Sequence, residues 1–258
     1  MPKSLNIALI QTPLHWEDPV NNRKMFDEKL ATIPSNVDVI VLPEMFTSGF
    51  TMNPGNIEPS EGEITVDWMR ALAKDKDSAV VGSIVFQKED KFYNRLFFVY
   101  PDGSFKHYDK KHTFTLAGED QVYEAGNEKL ILDYKGFKIC PMICYDLRFP
   151  VWSRYSEDYD VLMYVANWPK KRIAAWDTLL KARAIENMAY CIGVNRVGLD
   201  GADFEYTGHS AVYDVLGEQL CYSEKEEVLY ATLDKARIED TRKQLRFLED
   251  RDRFSLIE

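Results

Sequence analysis

The sequence of 258 residues contains no hydrophobic run long enough to cross a membrane as a helix, since that needs about 18 or more consecutive apolar residues. The first apolar stretch, in MPKSLNIALIQT, is shorter than the apolar region of a signal peptide. Gly/Ser-rich linkers, low-complexity tracts and repeats of solenoid period are also missing. We therefore expect a cytoplasmic protein whose residues 1–258 form a single domain.

Positively charged residues are fewer than negatively charged ones. Against 32 Lys and Arg there are 42 Asp and Glu, which gives a formal net charge of −10. A phosphate-coated partner would be repelled, so binding to nucleic acid or to a membrane surface is disfavoured. A small-molecule ligand suits this composition better.

Cysteine is also scarce, with four residues and no C-x-x-C pair of the kind that binds zinc. On a strand, Cys140 and Cys144 would lie about 13 Å apart, whereas sulfurs that share one zinc each lie about 2.3 Å from it. We therefore expect no metal site. Reduced thiols packed in the core are expected for Cys140, Cys191 and Cys221.

Strand and helix patterns alternate along the chain. LNIALIQT, VDVIVLPE and SAVVGSIVFQ predict strands, and helical patterns lie between them at 19–33 and 63–76. PDG and SAVYDVLGEQL indicate hairpins, 174–189 predicts an amphipathic helix, and the segment from about 236 predicts a helical tail. Strands that mix hairpins with helical crossovers predict an α/β layered domain with mixed sheets.

Three reactive side chains each follow a predicted strand. Cys144 follows the apolar run 136–143, Glu44 follows VDVIVLP, and Lys110, in YDKKHTF, follows the predicted strand 104–108. Each has an ordinary alternative, namely a buried thiol, a solvated carboxylate or a surface lysine, and the last is retained for Lys111. Strand ends can converge at one edge of a sheet, where α/β proteins often place their sites.

The segments VLPEMF, YDKKHTF and ICYDLRFP, in this order, resemble the three signature segments of the nitrilase superfamily of carbon–nitrogen hydrolases. CYDLRFPVWSR, YVANWP and KARAIENMAY followed by NRVG resemble its omega-amidase branch, which cleaves the side-chain amide of 2-oxo derivatives of glutamine and asparagine. The resemblance extends from the first strand to the C-terminal tail. It implies a four-layer α-β-β-α sandwich with two mixed β-sheets, hydrolysis of small linear amides without a cofactor, and a homodimer.

The resemblance also implies a Glu-Lys-Cys triad, which falls on Glu44, Lys110 and Cys144. A cysteine nucleophile needs a base, which is usually histidine, but here Glu44 would serve and none of the four histidines is required. Enclosure by apolar neighbours would desolvate this carboxylate and make it a usable base. Lys110 and the backbone N–H of Tyr145 would hold the oxyanion.

Members of the superfamily have a second glutamate near the lysine, which is assigned here to Glu119. The spacing differs between branches, so Glu124 stays an alternative. Two positions depart from the pattern, Thr113 where relatives often have Leu and Val151 where they often have an acidic residue. The second departure leaves the choice of substrate open.

An omega-amide substrate has a carboxylate at the end away from its amide, so the pocket should offer a cation or N–H donors. Arg148 is the nearest candidate, with an internal salt bridge to Asp146 or Glu186 as the alternative. Three aromatic residues are candidate pocket walls or plain packing residues: Phe46, Phe50 and Trp168.

Two other functions stay open. One is a different branch of the superfamily, acting on nitriles, carbamoyl compounds or peptide N-terminal amides. The other is a binding or scaffold protein that keeps the fold without catalysis, which the three filled triad positions disfavour.

Overall fold

The computed structural model describes residues 4–256, so the ends of the predicted domain, 1–3 and 257–258, lie outside the described part. The strands are β1 (Ser4–Gln11), β2 (Val39–Val41), β3 (Ala79–Lys88), β4 (Lys91–Val99), β5 (Phe105–Asp109), β6 (Leu132–Tyr134), β7 (Phe137–Ile143), β8 (Val161–Ala166), β9 (Tyr190–Asn195), β10 (Val197–Leu199), β11 (Glu205–Thr207), β12 (Ser210–Tyr213), β13 (Gln219–Ser223) and β14 (Glu227–Asp234). The α-helices are α1 (Pro19–Leu30), α2 (Glu61–Lys76), α3 (Pro150–Ser153), α4 (Ile173–Asn187) and α5 (Lys235–Leu245).

Two mixed sheets of six strands each form the centre of the molecule. Their orders are β14-β1-β2-β3-β4-β5 and β13-β12-β9-β8-β7-β6. In the first sheet β1, β2 and β3 run parallel, and in the second β7, β8 and β9 do so. Antiparallel strands extend both parallel groups on either side. The predicted α/β class with mixed sheets is confirmed.

Alternation along the strands decides which layer each side chain joins. In β1, Ile7 and Leu9 lie in a core shared with the second sheet, whereas Ala8 and Ile10 pack in the core beneath α1 and α2. On the second sheet α4 packs closely against β9, since a Cβ on Gly193 would lie 2.4 Å from Leu180 Cδ1. The layers are therefore helix, sheet, sheet and helix, which is the expected sandwich.

Two features differ from the sequence analysis. The β10–β11 hairpin was not predicted, because its strands are short, partly exposed and joined by a polar loop. Phe46 was a candidate pocket wall, and this is wrong. Its ring lies in the helix-covered core, 5.4 Å from the ring of Phe26 and 5.8 Å from that of Trp68.

The C-terminal segment that was predicted as a helical tail contains α5. Arg242 in this helix donates to the carbonyl oxygens of Met188 and Tyr159, so the helix is tied to the second sheet and to the end of α4. Within residues 4–256, no helix is both long and apolar enough to span a bilayer.

Candidate active site

Three strand ends bring Glu44, Lys110 and Cys144 together. Glu44 follows β2, Lys110 follows β5 directly, and Cys144 follows β7 directly. Lys110 Nζ lies 2.8 Å from Glu44 Oε1, and both side chains are almost fully buried. Because β2 and β5 belong to one sheet and β7 to the other, the site lies where the two sheets meet.

A tight 3₁₀ turn, Cys144–Arg148, presents the thiol. Cys144 has φ 45°, in the left-handed region that non-glycine residues seldom adopt. The buried carboxylate of Asp146 fixes the turn, since it accepts from the backbone N–H of Ile143 at 3.0 Å and from the Tyr108 hydroxyl at 2.8 Å. The chain therefore changes direction sharply at the thiol.

Four hydrogen bonds hold Glu44 in one orientation. Its Oε1 accepts from Lys110 Nζ and from Asn94 Nδ2, both at 2.8 Å. Its Oε2 accepts from the backbone N–H of Asn167 at 2.7 Å, and Asn167 Nδ2 donates to the Glu44 carbonyl oxygen at 2.6 Å. The Cys144 thiol donates to the Asn167 carbonyl oxygen at 3.9 Å. Asn167 is thus hydrogen-bonded both to the Glu44 carboxylate and to the Cys144 thiol.

Glu119 contacts the lysine from its other side. Lys110 Nζ lies 2.9 Å from Glu119 Oε2 and 3.1 Å from Oε1, and the backbone N–H of Phe114 donates to Oε2 at 2.6 Å. Glu124 instead forms an ion pair at 3.2 Å with Lys91, and both of its members are about half exposed. Of the two candidate glutamates, the one beside the lysine is therefore Glu119.

Burial and charge shift the pKa values of this group. Burial alone lowers the pKa of Lys110, but the charges of Glu119 and Glu44 outweigh it and hold that pKa above its ordinary value. Burial raises the pKa of Glu119, and the Lys110 ammonium opposes this. Burial, followed by the charge of Glu44, raises the pKa of the Cys144 thiol well above its ordinary value. The thiol is therefore neutral at rest, and the lysine beside it keeps its positive charge.

A cavity of about 410 Å³ opens onto Cys144 and Lys110. Four of the residues expected at the substrate line it, namely Phe50, Tyr145, Arg148 and Trp168, whereas Phe46 does not. Glu44 and Glu119 both contact Lys110, are 0% exposed and are not among the residues that line the cavity. Val151, where relatives often have an acidic residue, is 49% exposed on α3 and does not line the cavity.

The proposed salt bridge of Arg148 is absent from the described residues. Asp146 is already engaged by Tyr108 and by His112, whose Nδ1 lies 2.8 Å from Asp146 Oδ1. Glu186 pairs with Arg183 at 2.9 Å. Arg148 instead lies over the ring of Trp168, with Cζ 5.0 Å from its centroid.

Sequence reasoning missed several residues of this site. Asn94 lies inside β4, where a polar residue in an apolar strand was a usable signal. Asn167 directly follows β8, so the strand-end criterion that found Cys144 would have found it as well. Arg172 and the loop around Asp200 also line the cavity, and no pattern in the sequence pointed to them.

Metal binding has no visible basis in the part of the chain that the structure describes. There, no three side chains of His, Cys, Asp or Glu are grouped so that they could hold an ion.

The chain matches the carbon-nitrogen hydrolase family over residues 6–243. It is 43% identical over 256 residues to an omega-amidase YafV from Yersinia enterocolitica, covering 98% of this chain and 99% of that protein. With a 2-oxoglutaramate amidase from Bacillus subtilis the identity is 31% over 250 residues, covering 95% and 96%. The fold is similar, with a TM-score of 0.94, 40% identity and coverage of 98% and 99%, to XC1258 from Xanthomonas campestris, a CN-hydrolase superfamily protein with an arsenic adduct in its active site.

Proposed function

Since the chain belongs to the carbon-nitrogen hydrolase family and is an amide-hydrolysing enzyme, we propose that it is an omega-amidase that hydrolyses 2-oxoglutaramate to 2-oxoglutarate and ammonia. The observation behind this choice is the 43% identity to an omega-amidase over nearly the whole of both chains. The similarity to a 2-oxoglutaramate amidase supports the same substrate. 2-Oxosuccinamate, which is one carbon shorter, belongs to the same class.

In the proposed first half-reaction, Glu44 accepts the thiol proton as Cys144 Sγ attacks the amide carbon. The carbonyl oxygen becomes an oxyanion, which the Lys110 ammonium and the backbone N–H of Tyr145 stabilise. Protonated Glu44 then transfers the proton to the amide nitrogen, the C–N bond breaks, and ammonia leaves a thioester on Cys144. The hydrogen bonds of Asn167 with both groups support this pairing, since its N–H donates to Glu44 and its carbonyl oxygen accepts from the thiol.

In the second half-reaction, water gives a proton to Glu44 and attacks the thioester carbon. The same two donors stabilise the second oxyanion. Its collapse breaks the C–S bond, the departing sulfur takes the proton back from Glu44, and the carboxylic acid is released. The contacts of Lys110 with Glu44 and Glu119 support its role as a fixed positive charge, since a preorganised donor needs no reorientation during the reaction.

A substrate panel tests the proposed function. Ammonia release is measured at equal concentrations of 2-oxoglutaramate, 2-oxosuccinamate, glutamine and a simple nitrile. We expect the highest kcat/KM for 2-oxoglutaramate. Faster turnover of the nitrile than of 2-oxoglutaramate would place the enzyme in another branch of the superfamily and would contradict the proposal.

We also propose that residues 1–258 form one domain, that the protein is cytoplasmic, and that it forms a homodimer. Catalysis by a free thiol favours a reducing compartment. Exposed apolar side chains on and beside α4 favour self-association, with Ile185 47% and Leu216 44% exposed. Sedimentation equilibrium tests the dimer. We expect twice the chain mass, and a monomer at micromolar concentration would contradict it.

A further inference from the structure

Two guanidinium groups line the active-site cavity without a partner of their own. Arg148 Cζ lies 5.0 Å from the Trp168 ring centroid, and Arg172 Cζ lies 4.9 Å from that of Phe114. Within residues 4–256, neither side chain forms an ion pair or a hydrogen bond. A guanidinium that stacks by its face keeps its N–H groups free at the edge, so both can bind a ligand in the cavity.

Arg148 and Arg172 belong to one wall of the cavity, which we call the arginine wall. The indole N–H of Trp168 donates to the carbonyl oxygen of Arg172 at 2.8 Å, so the ring on which Arg148 lies is fixed to the backbone of Arg172. The ring beneath Arg172 is in turn 4.9 Å from that of Tyr145, the residue after the thiol. The ring beneath Arg172 thus connects this wall to the residue that follows the thiol.

Charge is distributed unevenly along the cavity. At the reacting end, the Lys110 ammonium is offset by two buried glutamates. Among the described residues that line the cavity, Asp200 has the only carboxylate. It is engaged within its own loop, by the backbone N–H groups of Ala202 and Phe204 at 2.9 and 3.0 Å and by the Tyr206 hydroxyl at 2.8 Å. In the described part of the chain Asp200 forms no ion pair with either arginine, so the arginine wall keeps an excess of positive charge.

We propose that Arg172 is a second specificity-determining residue, which binds the 2-oxo acid end of the substrate jointly with Arg148 and excludes the α-ammonium group of amino acid amides. This inference rests on the proposed function. A 2-oxo acid presents a carboxylate and an adjacent carbonyl oxygen, which gives both guanidinium groups an acceptor. In glutamine the carbonyl is replaced by an ammonium, which two positive charges repel.

The test compares Arg172→Gln and Arg172→Lys with Lys171→Gln, which removes one charge at the next position, outside the cavity. Loss of charge-assisted hydrogen bonds should reduce kcat/KM for 2-oxoglutaramate about 10-fold to 100-fold in Arg172→Gln, mainly through KM. Arg172→Lys should recover part of this loss, and the preference for 2-oxoglutaramate over glutamine should fall. Lys171→Gln should stay within a few-fold of the wild type. An unchanged preference in Arg172→Gln would overturn the proposal.

A binding measurement separates this proposal from the proposed function. Calorimetry with the Cys144→Ala protein compares succinamate with butanamide, which has a methyl group in place of the carboxylate. Arg172→Gln in that background should weaken the binding of succinamate and leave butanamide unchanged, whichever amide the enzyme prefers in turnover. Equal losses for both ligands, or no loss for either, would overturn the role of Arg172. A failed substrate panel alone would overturn only the proposed function.

Discussion

Glu44 is the residue on which the choice between a carboxylate base and a histidine base depends. Glu44→Gln keeps the size of the side chain but removes the proton acceptor, so we expect kcat to fall about 10²-fold to 10⁴-fold. The control is His107→Asn, because His107 lies on the exposed side of β5 and should not affect turnover. An active Glu44→Gln enzyme together with an inactive His107→Asn enzyme would indicate a Cys-His mechanism.

Lys110 and Lys111 are adjacent but lie in different surroundings. Lys110 is 1% exposed between two glutamates, whereas Lys111 Nζ lies 5.5 Å from the ring centroid of Trp152. Loss of an oxyanion donor costs about 10² to 10³ in rate, so Lys110→Ala should be severely impaired. Lys110→Arg should not recover activity, since its planar group is bulkier.

Lys111→Ala is the matched control and should keep kcat/KM within a few-fold on the same omega-amide. An inactive Lys111→Ala together with an active Lys110→Ala would show that Lys111, and not Lys110, stabilises the oxyanion. If both variants were active, lysine would have no part in the mechanism.

Among the elements, the connection after β5 depends on a close backbone approach at Gly126. Its N–H donates to the Lys110 carbonyl oxygen at 2.9 Å, and a Cβ at this position would lie 2.2 Å from the Asp109 carbonyl oxygen. Gly126→Ala must therefore displace the backbone that holds Lys110. We expect a loss of about 1–3 kcal/mol in unfolding free energy and a lower kcat.

Gly55→Ala is the control for this substitution, because nothing lies within 4 Å of a Cβ at that position. Urea unfolding and steady-state kinetics of the two variants make the comparison. Wild-type stability and kcat in Gly126→Ala would show that the approach does not position the lysine.

The elements also explain how much the sequence could predict. Glu44, Lys110 and Cys144 each follow a strand that is visible as an apolar run, so their positions could be found from local pattern. The contact between Glu44 and Asn167 joins residues 123 positions apart, and it exists only because the two sheets pack together. Phe46 failed as a pocket residue for a related reason, since Glu44 two residues earlier contacts Lys110 whereas the ring of Phe46 packs beneath the helices.

At the scale of the whole molecule, buried cysteine thiols and tyrosine hydroxyls that stay protonated make the folded state less stable at alkaline pH. Burial raises the pKa of Cys140 to about 12 and places those of Tyr108 and Tyr164 well above their ordinary value. In the unfolded chain, thiols ionise at about pH 8.5 and phenols at about pH 10. Above these values the folded protein holds more protons than the unfolded chain, so stability falls as pH rises.

We therefore expect a lower free energy of unfolding at pH 10.5 than at pH 8, measured by urea unfolding, with a smaller decrease in Cys140→Ala because one such group is removed. The thiols and phenols of the unfolded chain ionise roughly between these two pH values. Equal stability at both values would contradict the burial of these groups.

The most direct test of catalysis through a thioester on Cys144 is ammonia release from 2-oxoglutaramate by two cysteine variants. Cys144 lines the cavity, whereas Cys140 is 0% exposed on β7 and does not reach it. Cys144→Ala should release no ammonia above the uncatalysed background while keeping a folded circular dichroism spectrum, and Cys140→Ala should stay active. Near-normal ammonia release by Cys144→Ala would contradict the mechanism.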